Sequence, residues 1–129
     1  YNQAISETTH QLYSEINYLI SYNDFNFKSI LENLDIINKI EIINDLLKNY
    51  DNITDKSIEK CVKSVIEIIH KINNEINEIK VLIEQHEEKL FYKWRSNPYS
   101  RKIENLINHS KIMDNRLDLL IKIINLSNN

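Results

Sequence analysis

Glycine is missing altogether from these 129 residues, where an ordinary composition would carry about 7%. Phosphate-cradling loops, dinucleotide fingerprints and primed hairpin turns all rely on it, because they need positive φ or a close backbone approach. P-loop, Rossmann and nucleophile-elbow chemistry therefore lose their usual residue together. Proline occurs once, at Pro98, so the rest of the chain is free of the strongest helix breaker. Cys61 is the only cysteine, which excludes an internal disulfide and any cysteine-based zinc site. No apolar run exceeds three residues, far short of the ~20 needed to span a bilayer.

What is present describes a globular chain. Hydrophobic residues make up 42% and charged residues 27%, too apolar for disorder. A chain of this length is one domain, residues 1–129, and buries roughly two thirds of its unfolded surface. Ile, Asn and Lys are heavily over-used, a bias typical of very AT-rich genomes that reflects codons rather than activity. The start at Tyr1 is compatible with a segment of a larger protein. Targeting signals would then lie outside it, and no compartment is assigned.

Apolar spacing reads as four helices. The first covers about residues 6–22, with Ile5, Leu12, Ile16 and Leu19 on one stripe. The second covers about residues 25–50, after Asn23 and Asp24 as candidate caps. Its stripe changes phase from Phe27, Ile30, Leu34 and Ile37 to Ile36, Ile40, Ile43 and Leu47. Either a kink near Asn33 to Asp35 or a change of packing partner accounts for that.

The third helix, about residues 55–96 with Thr54 or Asp55 as cap, is the clearest element. Ile58, Val62, Val65, Ile69, Ile72, Ile76, Ile79, Ile83, His86 and Leu90 alternate in steps of four and three, a sustained heptad seam. Asn97-Pro98 then gives a cap followed by proline at the first helical position. The fourth helix continues the same spacing through Tyr99, Ile103, Leu106, Ser110, Met113, Leu117, Leu120 and Ile124. These seams predict an all-α, elongated antiparallel bundle of about four helices, with the third as its spine. The expected register sets Ile72 against Ile124, Ile76 against Leu120, Ile79 against Leu117 and Ile83 against Met113. The second helix is expected against the other end of the spine, with Ile36, Ile40 and Ile43 facing Ile69, Val65 and Val62.

Chemistry-bearing residues are few. Glu7–His10 and Glu67–His70 have the Glu-x-x-His spacing of di-iron bundles, but Glu67 lies about 160° around the helix from Ile69 and points to solvent. No metal, cofactor or catalytic residue is therefore assigned. His86 occupies a seam position, and the expected register places Ser110 opposite it with His109 adjacent. That pair reads as a buried polar layer fixing register, with a pH switch or a catalytic dyad as lesser alternatives. Cys61 reads as a small buried hydrophobe.

One segment departs from the background. Residues 89–102 hold five basic residues and no acid, leaving a charge of −8 on the rest of a chain whose net charge is −3. Lys89, Lys93, Trp94, Arg95, Tyr99, Arg101 and Lys102 are candidates for binding a partner or an anion there. Alternatively, Phe91, Trp94 and Tyr99 plug the open end of the bundle. The net acidity argues against nucleic acid as a partner. The reading is thus a non-enzymatic helical interaction or scaffold module with a protein partner and unassigned oligomeric state. A peripheral module for anionic or phosphoinositide-bearing membranes is the alternative. An enzyme with a site near His86 comes third.

Overall fold

A computed structural model describes residues 7, 10–12, 14–15, 25–48, 55–87 and 100–127. Among these, every residue except Asp35 and Asp55 is helical. Four helices follow one another: α1 (Phe25–Leu34), α2 (Ile36–Lys48), α3 (Lys56–Glu87) and α4 (Ser100–Ser127). The described residues between 7 and 15 are also helical. The chain is all-α and forms a helical bundle. At 1.5 Å per residue the 32 residues of α3 extend for roughly 48 Å, which makes it the longest described element.

The two clearest boundaries have local causes. Asp55 caps α3: its Oδ1 accepts from the amides of Ser57 at 2.8 Å and Ile58 at 3.4 Å, while its carbonyl accepts from Glu59 at 3.0 Å. Asp35 divides the second predicted helix. It adopts φ 53°, the left-handed region that Asp tolerates better than most residues. Its amide donates to the Glu32 carbonyl at 3.1 Å, closing α1 with a tight turn. Its carbonyl then accepts from Lys39 at 3.1 Å, the first turn of α2. The phase change in the apolar stripe is therefore a break at one residue. On either side of it, Leu31 and Ile36 are both buried.

The seam forms the core. Ile58, Val62, Val65, Ile69, Ile72, Ile76 and Ile79 of α3 are all buried, as are Leu106, Met113, Leu117, Leu120 and Ile124 of α4. Ile36, Ile40 and Ile43 of α2, Leu31 of α1 and Leu12 join the same cluster. Cys61 is buried beside the seam as a free thiol, as its position implied. Each fully buried isoleucine contributes about 1.5–3 kcal/mol by leaving water, so the seam is the main source of stability.

The closest helix pair is α3 with α4, antiparallel but not in the expected register. Lys102 bonds to Glu78, His109 lies 3.9 Å from Glu75, and Arg116 lies 3.7 Å from Glu67. Arg116 also donates to the Ser64 carbonyl at 2.7 Å. These contacts set Ile76 level with Leu106 instead of Leu120, a slip of two heptads. The physical reason is degeneracy: a seam repeating every seven residues meets another apolar layer after each such slip. In the observed register the charges flanking the seam are matched, Lys102 with Glu78 and Arg116 with Glu67.

Candidate functional site

Three places could carry function, and each begins with what its helix presents. The first is the basic segment. Lys89, Lys93, Trp94, Arg95 and Tyr99 lie outside the described residues. Arg101 and Lys102 open α4, and Arg101 is exposed. Lys102 donates to Glu78 Oε2, and that hydrogen bond, helped by the charge of Glu75, holds its ammonium above the usual lysine range. One of the seven candidates is thus already matched by an acid of α3.

The second is a polar layer inside the bundle. Ser110 is buried in the seam, but the register sets it level with Ile72. His86 lies in the last turns of α3, eleven residues beyond Glu75 and therefore roughly 16 Å further along the axis. The expected His86–Ser110 pair is corrected accordingly, and its cause is the same two-heptad slip. His109 takes the place that the sequence offered to His86: its Nε2 faces Glu75 Oε1 at 3.9 Å, an ion pair only while the imidazole is protonated. Glu75 Oε2, His109 Nδ1 and Ser110 Oγ are all buried without a hydrogen-bond partner.

Toward the N-terminal segment the layer continues. Asn73 donates from Nδ2 to Gln11 Oε1 at 3.4 Å, while its Oδ1 is buried and unpartnered. Glu15 is buried, and burial pushes its carboxyl above the ordinary 4.5 against the opposing pull of Lys80. Gln11 meets Asn73 and Glu15 approaches Lys80, so this segment runs in the same direction as α3. A serine nucleophile would need its hydroxyl bonded to a base, and Ser110 Oγ bonds to none.

The Glu-x-x-His residues stand apart from this layer. Glu67 is exposed and paired to Lys71 at 3.5 Å as well as to Arg116. His70, Glu7 and His10 are exposed too. Among the described residues no group of three His, Cys, Asp or Glu is placed to hold a metal ion. Among them, too, no helix is long and apolar enough to cross a membrane.

The third place was missed in the sequence. Ile112, Leu119 and Leu126 are 39%, 51% and 74% exposed, and they recur every seven residues on α4. At 100° per residue they form a second apolar stripe, roughly 140° around the helix from the seam. The signal was present as an apolar heptad out of phase with the core, masked by the stronger one. Asn108, Asn115 and Lys122 fill the stripe between them, all exposed. Comparison with known protein families, with curated proteins and with solved structures gives no match for this chain.

Proposed function

We propose that this chain is a non-enzymatic helical interaction module that engages a protein partner through the outer face of α4. The observation that carries the reading is the exposed stripe of Ile112, Leu119 and Leu126. Isolated surface leucines are ordinary, but three at heptad spacing offer the knobs of a further helix–helix contact. A coiled-coil mode of association follows from the same spacing. Behind the face, the seam of α3 and α4 is buried and flanked by ion pairs.

The test is differential capture from extract of the native cells. Wild-type bait should retain a partner that an Ile112→Glu/Leu119→Glu bait loses, with both baits equally helical by circular dichroism. Equal recovery by the two baits removes this face from the function.

A membrane-surface role is the second reading, supported by exposed Arg101 beside the basic run of the sequence. Lys102 contributes less to it, being matched by Glu78. Binding to vesicles containing anionic lipid, lost with Arg95→Glu/Arg101→Glu and weakened by salt, would favour it over the protein partner.

A further inference from the structure

We infer that the partner of this face is a second copy of the same chain, bound with its α4 antiparallel about a two-fold axis near Asn115. The inference rests on the reading of the α4 stripe as an interaction surface and adds the identity of what covers it.

The stripe and its edge are self-complementary. A two-fold interface requires that residue i meet j and that j meet i. About an axis at Asn115, Ile112 meets Leu119 of the second copy and Leu119 meets its Ile112, so two apolar contacts form from one pair of residues. Lys111 and Asp118, both exposed, border the stripe on the same edge of α4. In an antiparallel helix pair, same-edge positions face each other. Lys111 therefore meets Asp118 of the second copy, and Asp118 meets its Lys111, with opposite charge in both places. Among the described residues neither has an ion-pair partner within its own chain. Lys122 comes opposite an Asn108, so no like charges are brought together. A parallel pairing would instead turn the Lys111–Asp118 edge away from itself and leave both charges unmatched.

The asparagine at the axis fits this geometry. Asn115 is exposed on the stripe, and two copies meeting there can exchange amide hydrogen bonds. A polar residue at such a place fixes register at a cost in affinity. Four turns of one helix are a small contact, below the ~1,200 Å² of standard interfaces, so the dimer is weak and concentration-dependent.

Sedimentation velocity on the wild-type chain between about 10 μM and 1 mM should show reversible dimer formation, on the scale of small interfaces. Leu119→Glu should sediment as a monomer throughout, with unchanged circular dichroism because the residue is half exposed. Lys111→Asp and Asp118→Lys should each weaken the dimer by about tenfold, since each creates two like-charge contacts. The double exchange Lys111→Asp/Asp118→Lys should restore it. A wild-type chain that stays monomeric overturns the inference. The function proposed above survives that result if the face still captures a different protein, and falls with it if the glutamate bait recovers the same proteins. A dimer indifferent to Leu119→Glu overturns the choice of face. A dimer lost with Leu119→Glu but insensitive to both single charge changes overturns the antiparallel pairing.

Discussion

Lys39 and Asp114, 75 residues apart in sequence, join α2 to α4 through both carboxylate oxygens, at 2.8 Å to Oδ1 and 3.0 Å to Oδ2. The contact is half-buried and binds the outer flank of α4 opposite to the one facing α3. Its strength is that of a partly solvated pair, so a double-mutant cycle with Lys39→Met and Asp114→Asn should give a coupling of about 0.5–1 kcal/mol. Urea denaturation of the four proteins measures it. Coupling indistinguishable from zero would mean that apolar packing alone positions α2.

The register of α3 against α4 can be checked by cross-linking. In a Cys61→Ala background, Glu75→Cys with His109→Cys should join readily through a short bifunctional thiol reagent. Glu87→Cys with His109→Cys, the pair aligned by the expected register, should not. Efficient linking of the second pair would restore the register that the ion pairs contradict.

How far the fold could be read in advance follows from these elements. Burial at Ile58, Val62, Val65, Ile69, Ile72, Ile76 and Ile79 repeats the apolar spacing directly, because one periodic face has one way to leave water. The break at Asp35 was visible as a phase change. Its form was not, since φ 53° at a single residue leaves no trace in hydrophobicity. The register failed because the seam is indifferent to whole-heptad slips. A weaker pattern distinguishes the registers: Lys102, His109 and Arg116 recur every seven residues and meet Glu78, Glu75 and Glu67. In the expected register His109 would have faced Glu87, and Arg116 would have faced the like charge of Lys80. The polar layer was therefore assigned the wrong histidine while Ser110 was correctly read as buried. Five of the basic-segment candidates lie outside the described residues.

Asp35 and Asp55 are both boundary residues but should respond differently to substitution. Asp55→Ala removes a cap with two amide contacts and should cost about 1 kcal/mol. Asp35→Val forces a β-branched residue into the left-handed region and should cost about 1–2 kcal/mol or more. Asp35→Gly should be close to neutral, because easier positive φ offsets the lost contact from Asn38 Nδ2 to Asp35 Oδ2. Thermal or urea denaturation ranks the three. An Asp35→Gly variant as damaged as Asp35→Val would locate the constraint in the side chain rather than in φ.

Ser110 is the reverse of a useful core polar group. Its Oγ is buried and unpartnered, so Ser110→Ala should leave stability unchanged or raise it by up to about 1 kcal/mol. A loss above that size, measured by urea denaturation, would show that the hydroxyl is satisfied in solution and belongs to a connected network with Glu75 and His109.

Glu15 makes stability depend on pH. Burial raises its carboxyl above 4.5 in the folded chain, and the charge of Lys80 only partly opposes this. The folded state thus holds the proton more tightly than the unfolded state does. Linkage then fixes the sign: the contribution of Glu15 is greatest below its unfolded value and is lost as pH rises through the raised folded value. Above that window the buried carboxylate carries a constant penalty. Glu15→Gln keeps the shape and removes the charge, so it should be more stable than wild type at neutral pH, with the difference shrinking as pH falls toward 4. Other carboxylates titrate in the same interval, and the difference between the two proteins isolates this one. Urea denaturation of both across pH 4 to 8 gives the curve. A wild-type advantage that grows with pH would overturn the assignment, because it would mean that the ionised carboxylate gains more from Lys80 than burial takes from it.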